Sequence, residues 1–456
     1  MEIGNIVCRW NTKKYMYKNS HSKQDILATF SNQFWRLLSG PLMLLVIPFY
    51  LTQVQQGYWY LFSSLAALRI FADLGFSNII LQFSAHEYAH LSFNLYGELT
   101  GDKYDIQKLG SFFRFVIKWL VIMCSVIFPI IFVTGVFFLV RDKVVSIYIV
   151  PWIIYSVGSL IDFFNNSIFS FIEGMDQIAK VQRSRLYVGI INTIVLIGCL
   201  LLHWNIYALS LAMLLSSSFM FVTIFYTFGE VIAKIWRYSQ NFIYPWKREI
   251  LPLFKKYVLS FASGYFIFQI YTPLIHYFHG PVYSGKVGIS LSLVTAIFTF
   301  SNIWMYTITP RINMLVARKQ WNTLDIMFHK RLFLGIVTYV SIVVMLVLLV
   351  RFFGSYAVIT KIFERFLSIK SLTIIILSYF MQFFVNSWAV YLRGHKQEPY
   401  WFVSILSAIW VLVITLYAGK YLTPEYFFVG LLSGYLWGLP VCYIIYRYLK
   451  KAWHNG

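Results

Sequence analysis

The feature that most constrains this chain is a series of apolar stretches, most of them about 20 residues long. A helix needs about 20 mainly apolar residues to cross the hydrocarbon core of a bilayer. Such stretches recur along the 456 residues, and we count twelve. They run over 26–51, 57–84, 113–140, 148–171, 187–203, 206–228, 251–278, 282–307, 333–350, 371–391, 401–417 and 426–446. They are continuous rather than alternating, which favours helices over the strands of a β-barrel.

The composition agrees with a chain that crosses a membrane many times. Hydrophobic residues make up 59% of the sequence and charged residues only 12%. A soluble domain carries about 25% charged residues, so this chain has too few to cover a surface in water. The sequence therefore predicts an all-α polytopic membrane protein. This class excludes a cytosolic enzyme, a disulfide-stapled secreted domain and a disordered chain.

The excess of basic residues has a topological explanation. The formal net charge is +21, which by itself would favour a polyanionic partner such as nucleic acid. Cytoplasmic loops of membrane proteins, however, collect lysine and arginine. With the N-terminus inside, 28 basic residues fall in cytoplasmic segments and 8 in external segments. We therefore predict that both termini are cytoplasmic and that nucleic acid is not a partner.

A short internal repeat predicts how the chain is organised. Segments 39–78 and 263–302 both begin with Ser-Gly and end with Phe-Ser-Asn, although their interiors are dissimilar and chance is the alternative explanation. A parallel repeat of two six-span halves is a pattern found in transporters. We predict a basic cytoplasmic tail over 1–25, an N-terminal six-helix lobe over 26–228, a cytoplasmic linker over 229–250, a C-terminal six-helix lobe over 251–446 and a cytoplasmic tail over 447–456.

Charged side chains inside spans are costly and are therefore candidates for function. Arg36 and Arg69 lie near the middle of the first two spans, and Asp162 lies within the fourth. A guanidinium donates two parallel hydrogen bonds to a phosphate and keeps its charge when desolvated. Arg36 and Arg69 are therefore candidates for binding an anionic head group. Asp162 is a candidate for binding a coupling proton or cation.

Structural roles compete with each of these functions. Asp73 follows Arg69 by four residues, so the two share a predicted helix face and can neutralise each other. Arg36 has no carboxylate in its own span, and it can pair with Asp73 or Asp162 instead. Ion coupling and ion pairing therefore both stay open for Asp73 and Asp162.

Uncharged amides add hydrogen-bonding groups within the spans. They are Asn32, Gln33, Asn165, Asn166, Gln269, Gln382 and Asn386. Such groups can contact sugar hydroxyls, or they can hydrogen-bond one helix to another. We place Gln33 and Asn166 with the two arginines in the predicted substrate site.

One sequence motif belongs to enzymes. His86, Glu87 and His90 form a literal H-E-x-x-H, which on a helix places two imidazoles on one face for Zn²⁺ with the glutamate as general base. The motif lies at the inner end of the second span, beside a polar loop. A polar helix end at the membrane interface is the interpretation we favour, so we predict neither a metal nor another cofactor.

Three stretches are distinctive as a set. They are 33–82 (beginning QFWRLLSGPLMLLV), 263–293 (beginning SGYFIFQIYTPLIH) and 310–325 (PRINMLVARKQWNTLD). Together with the twelve-span, short-loop layout, they resemble the polysaccharide-transport branch of the flippase superfamily that also holds the multidrug and toxic compound extruders. The resemblance implies two six-helix lobes around a central cavity. It also implies transport of undecaprenyl-diphosphate-linked oligosaccharide, such as an O-antigen unit, across a bacterial inner membrane.

The resemblance extends to the site and the partners. Members of the family are thought to hold the diphosphate with cationic cavity residues, and Arg36 and Arg69 are the candidates here, although they match no fixed motif. The implied partners are the lipid-linked oligosaccharide, membrane lipids and polysaccharide polymerase or assembly proteins. Two alternatives remain. One is a membrane enzyme, either of polysaccharide assembly or an intramembrane zinc protease, and the other is a small-molecule exporter on the same fold.

Overall fold

The computed structural model describes residues 2–94, 99–240, 242–395 and 398–454, and these are almost entirely helical. One short antiparallel hairpin pairs β1 (Ser92–Phe93) with β2 (Leu99–Thr100), and 3₁₀ turns cover Ala67–Arg69 and Pro424–Tyr426. The helices are α1 (Glu2–Tyr50), α2 (Gln53–Ala66), α3 (Ile70–Asp73), α4 (Phe76–Tyr88), α5 (Lys103–Arg141), α6 (Val145–Gly174), α7 (Ile178–Leu201), α8 (Tyr207–Tyr238), α9 (Trp246–Phe268), α10 (Tyr271–Tyr306), α11 (Thr309–Ala317), α12 (Trp321–Phe353), α13 (Ala357–Phe363), α14 (Ile369–Arg393), α15 (Trp401–Tyr421) and α16 (Val429–His454).

The long helices expose apolar side chains along whole faces. On α12, Val337, Val340, Val344 and Val347 recur every three or four residues and are 43%, 45%, 49% and 61% exposed. A stripe of this kind is unfavourable in water, whereas lipid tails solvate it well. The chain is therefore a multi-pass membrane protein.

The helices also confirm the predicted all-α polytopic class. Within the described residues, nine helices are long and apolar enough to cross a bilayer, or ten if the bent pair formed by α2–α3 and α4 is one span. The predicted number of twelve spans is not confirmed.

Residues with positive φ angles separate two of the predicted spans and break a third. Gly280, with φ 82° and ψ −176°, divides α10 into two helical segments, and Pro281 follows it. Only glycine adopts this conformation readily. The division falls between the predicted spans 251–278 and 282–307. In the predicted second span, Leu74 (φ 44°) and Gly75 (φ 81°) break the helix, and the segments on either side meet at a 45° bend.

Packing divides the chain into two compact units that differ from the predicted lobes. Unit 1 consists of Met1–Ser39 and Gly75–Phe254, and unit 2 consists of Gly40–Leu74 and Lys255–Gly456. The predicted N-terminal lobe, 26–228, includes the segment that packs in unit 2. The division into two six-helix lobes stays a prediction.

The chain passes between the units three times, and each passage lies near a helix-breaking feature. The first follows Ser39 and is marked by Gly40 and Pro41 within α1, and the second is marked by the left-handed residues Leu74 and Gly75. The third lies two residues beyond Pro252 within α9. A proline inside a helix removes a backbone hydrogen bond and kinks the helix. These are the places where the backbone resists bending least.

A close helix contact explains why 40–74 packs in unit 2. On α2, Gly57 lies against the carbonyl of Pro281 on α10, in space that any side chain would fill. Beside it, Gln56 is buried and its Nε2 donates to the Gly285 carbonyl over 2.9 Å. Small residues let two membrane helices approach to backbone contact, which gives van der Waals attraction over a long seam.

The predicted linker, 229–250, is part of the folded structure of unit 1. Its first ten residues extend α8 to Tyr238. Trp246 begins α9, is 2% exposed, and donates from Nε1 to the Ser111 hydroxyl over 3.0 Å. Arg114 binds the Phe242 carbonyl over 2.7 Å. These contacts hold the segment in place. The segment is therefore packed against unit 1 rather than being the linker that its basic composition predicts.

Candidate functional site

The part of α1 that belongs to unit 1 has three different faces. One face is packed, and another exposes large apolar side chains: Leu27, Phe30, Phe34 and Leu38. The third face carries Gln33 and Arg36, both exposed and three residues apart. At about 100° per residue, Arg36 lies about 160° around the helix from Phe34. The apolar face suits lipid, so Arg36 points away from it, whereas Gln33 lies between Arg36 and the edge of the apolar face.

A buried hydrogen-bond chain holds this part of α1 against α7. The Asn32 amide nitrogen donates to Gln182 Oε1 over 2.8 Å, and Gln182 Nε2 donates to Glu173 Oε1 over 2.8 Å. Arg185 Nη1 completes the chain by donating to Glu173 Oε2 over 2.9 Å. Asn32 and Gln182 are 2% and 6% exposed. We name these four residues the α1 anchor.

The direction of every hydrogen bond in the α1 anchor is determined. Arg185 can only donate and the ionised Glu173 can only accept, so Gln182 turns its amide nitrogen towards Glu173 and its carbonyl towards Asn32. Asn32 lies one helical turn before Arg36, so the anchor sets the rotation of the exposed polar face. Sequence reasoning finds Asn32 as an amide within a span, but its partner is 150 residues away and only the fold reveals it.

Arg69 and Asp73 lie where the second predicted span breaks. Arg69 ends a 3₁₀ turn and Asp73 ends the four-residue helix α3, directly before the left-handed Leu74. The two residues therefore do not share one face of a regular α-helix as predicted, because a 3₁₀ turn ends at Arg69 and the helix ends at Asp73. Both side chains are half-buried and both make polar interactions. They belong to unit 2, whereas Arg36 belongs to unit 1.

Asp162 and Asn166 form a local pair on α6. Asn166 Nδ2 donates to the Asp162 carboxylate over 3.0 Å and to its backbone carbonyl over 2.8 Å. Both residues are half-buried, and Asp162 makes a further interaction. The amide nitrogen of Asn166 therefore donates within its own helix.

The H-E-x-x-H segment does not have the geometry of a zinc site. Helix α4 ends at Tyr88, so His90 lies in the following turn rather than one helical turn after the exposed His86. The Glu87 carboxylate is 8% exposed and lies 3.0 Å from Lys108 Nζ, so it is held in an ion pair. Among the described residues, no group of three or more His, Cys, Asp or Glu side chains is placed to hold a metal.

The Glu87–Lys108 ion pair is part of a cluster at the end of unit 1. Lys108 Nζ also lies 4.8 Å from the centre of the Tyr244 ring. The Tyr244 hydroxyl donates to the Glu249 carboxylate, and this hydrogen bond, together with partial burial, raises the pKa of Tyr244. The cluster therefore ties α4 and α5 to the segment that precedes α9.

Comparisons with known proteins define the fold class. No family model matches the sequence, and no curated protein matches it. Among solved structures, an inward-facing multidrug resistance MATE family transporter of the MOP superfamily is 13% identical, with a TM-score of 0.61 over 93% of this chain and 96% of that chain. Lipid II flippase MurJ, in an inward closed conformation, is 12% identical, with a TM-score of 0.60 over 93% and 87%. A MATE structure in complex with MaL6 is 14% identical, with a TM-score of 0.56 over 96% and 98%.

These likenesses extend over nearly the whole of each chain. The chain therefore has the all-α polytopic fold of these transporters, which confirms the predicted fold class. At 12–14% identity the likeness is one of fold.

Proposed function

We propose that this chain flips undecaprenyl-diphosphate-linked oligosaccharide, an O-antigen or another surface polysaccharide unit, across the bacterial inner membrane by alternating access. The fold likeness to a lipid II flippase and to multidrug transporters supports a transport function. The observation that carries the choice of substrate is Arg36, an exposed guanidinium on the polar face of α1. Its position within a predicted span is costly unless an anion binds there.

Arg36 has the chemistry that a diphosphate requires. A guanidinium binds phosphate oxygens through two parallel hydrogen bonds, and each hydrogen bond to a charged group is worth about 1.5–3 kcal/mol. The α1 anchor holds the helix one turn away, so the side chain is presented from a fixed backbone. Gln33 offers an amide on the same face for the adjoining sugar. In the proposal, Arg69 supplies a second cation and Asn166 a second amide.

Alternating access needs places where the two units can move. In the proposal, the three passages at Gly40–Pro41, Leu74–Gly75 and Pro252 act as hinges, because hinges are short segments that absorb changes in backbone angles. Asp73, beside the second passage, and Asp162 on α6 are the candidates for coupling an ion to this motion or for pairing with the arginines. The proposed orientation places both termini in the cytoplasm, and polysaccharide polymerase or assembly proteins are the proposed partners.

The proposal is tested in cells that lack the protein. We expect the diphosphate-linked oligosaccharide to accumulate facing the cytoplasm, and we expect wild type to clear it. Arg36→Ala should fail to clear it, and Arg36→Lys should be intermediate because it keeps the charge but loses the planar fork. Arg237→Ala, the same substitution at an exposed residue at the end of α8, is the matched control and should behave as wild type. Normal export of the glycan without the protein would refute the proposal.

A small-molecule exporter is the second candidate. The observation in its favour is that multidrug MATE transporters share the fold at TM-scores up to 0.61. Deletion would then sensitise cells to organic cations without any accumulation of lipid-linked glycan. Resistance to a panel of cationic drugs, measured in the same deletion strain, separates the two functions.

A further inference from the structure

Unit 2 contains a cavity of about 190 Å³ that no predicted site residue lines. It lies where one face each of α14, α15 and α16 meets the end of α9. Gln382 and Asn386 line it from α14, Ser404 and Ser407 from α15, and Tyr435 from α16. The volume equals that of about six water molecules at about 30 Å³ each, which is the size of a single sugar ring.

Several polar groups on this wall are left without hydrogen bonds. In the part of the chain that the structure describes, the side chains of Gln382, Ser404 and Ser407 make none. Serines on the neighbouring helix α14 behave differently, since the hydroxyls of Ser378 and Ser387 donate to carbonyls of their own helix over 2.7 Å and 2.8 Å. Gln382, Ser404 and Ser407 are half-buried, so their amide and hydroxyl groups are available to hydrogen-bond a ligand rich in hydroxyls.

The cavity wall carries no net charge from its acidic and basic residues. Among the described lining residues, Arg393 and Glu398 are the only acidic or basic ones, and they pair with each other through two hydrogen bonds of 2.6 Å and 2.8 Å. A bidentate pair of this kind satisfies both charges. A cationic ligand would need an unpaired carboxylate and an anionic ligand an unpaired cation. The wall therefore favours an uncharged ligand.

The remaining lining residues fit the apolar faces of a sugar. Phe268 and Tyr435 contribute aromatic rings to the wall. Gly264, Gly434 and Gly438 also line it, and a Cβ built at Gly264 would meet nothing within 4 Å. We propose that this cavity binds one uncharged sugar unit of the glycan, an inference that rests on the proposed flippase function and adds a glycan site within unit 2.

The cavity can be filled without disturbing the packing. Gly264→Leu places a side chain in the open space. Gln382→Met keeps the size of the side chain but removes the amide that would hydrogen-bond the sugar. The matched control is Gly198→Leu on α7 in unit 1, because its Cβ also meets nothing within 4 Å and the glycine is equally half-buried. If Gly264→Leu misfolds, Gln382→Met still tests the proposal, because it is expected to fold.

The measurement is saturation-transfer NMR on the purified full chain in lipid nanodiscs. The probes are the monosaccharides released by acid hydrolysis of the cell's own surface polysaccharide. Wild type and Gly198→Leu should bind at least one of them. Gly264→Leu should weaken binding by at least about tenfold, the equivalent of about 1.4 kcal/mol. Gln382→Met should weaken it by about threefold to tenfold, as the loss of one or two neutral hydrogen bonds predicts.

Two results would overturn the sugar site. In the first, the wild-type protein binds no monosaccharide. In the second, Gly264→Leu and Gln382→Met both bind sugar as tightly as wild type does. Binding of tetraphenylphosphonium that is lost in Gly264→Leu, with no sugar signal, would reassign the cavity to a cation. Arg36→Ala should bind sugar normally, so a failure of the flippase proposal in cells is distinguishable from a failure of the sugar site.

Discussion

The α1 anchor gives the most quantitative prediction, because each of its hydrogen bonds has one possible direction. Asn32→Leu removes the donor to Gln182 Oε1 and leaves that carbonyl buried without a partner. Gln182→Leu leaves both the Asn32 amide and one oxygen of Glu173 without a partner. The double substitution removes both sides of the Asn32–Gln182 bond and leaves only the Glu173 oxygen, whose partner oxygen still binds Arg185.

The magnitudes follow from burial. An unsatisfied buried polar group costs about 1–3 kcal/mol. We therefore expect Asn32→Leu to lower the free energy of unfolding by about 2 kcal/mol and Gln182→Leu to lower it by somewhat more. The double variant should be more stable than the sum of the two single effects predicts, by about 1–3 kcal/mol. Gln33→Leu, next to Asn32 but exposed, should change stability by no more than about 0.5 kcal/mol.

The assay is equilibrium unfolding by titration with SDS in mixed micelles, with all four variants measured against wild type. If the two single effects add to within about 0.5 kcal/mol, the residues act independently and the anchor does not exist as described. A loss of stability in Gln33→Leu as large as that in Asn32→Leu would likewise contradict the assignment of the packed and exposed faces of α1.

Three further predictions concern other parts of the fold. Lys108→Met should lower the free energy of unfolding by about 3 kcal/mol, because the buried Glu87 then keeps only the 3.4 Å contact with His86. Adding Glu87→Gln should restore most of this loss in the same SDS titration. Burial lowers the pKa of His395 below its ordinary value of about 6.5, so the unfolded chain binds the proton more readily and stability falls as the pH drops below about 6.5. His395→Phe keeps a ring stacked on Trp453, and it should reduce the fall in the free energy of unfolding at low pH, measured by unfolding titrations at several pH values. The same dependence of stability on pH in wild type and variant would contradict this prediction. Gly57→Leu should separate α2 from α10 and lower the SDS midpoint, whereas Gly40→Leu, whose Cβ meets nothing within 4 Å, should not.

Sequence reasoning predicted the helices well because a membrane span depends on local composition. Most of the twelve apolar stretches fall on single helices, although 57–84 is broken at Leu74–Gly75 and 251–278 runs across the turn between α9 and α10. The division between 251–278 and 282–307 coincides with Gly280, where glycine and proline occur together. It did not predict the break at Leu74–Gly75, because leucine rarely adopts a left-handed conformation. Nor did it predict the packing of 40–74, which depends on the contact of Gly57 with a carbonyl more than 200 residues further along the chain.

Sequence reasoning names the residues of the candidate site, and they stay a prediction, but it does not give their orientation. The energetic cost of a charge within a span singles out Arg36 from sequence, and Gln33 is added as an amide three residues away. The rotation of α1 is not readable from so uniform an apolar sequence, and the structure supplies it through Asn32, Gln182 and Glu173. Sequence reasoning names Gln382 and Asn386 as span amides, but it does not predict that they line one cavity with Ser404 and Ser407, because these residues come from different helices.

The central claim is that the chain carries a lipid-linked diphosphate across the bilayer on Arg36. The most direct measurement is the transfer of purified undecaprenyl-diphosphate-linked oligosaccharide between the leaflets of proteoliposomes that contain the full chain. The account predicts that wild type and Arg237→Ala equilibrate the two leaflets and that Arg36→Ala is slowed at least about tenfold, the equivalent of one lost charged hydrogen bond. Equal rates for Arg36→Ala and wild type, or no transfer above protein-free liposomes, would contradict it.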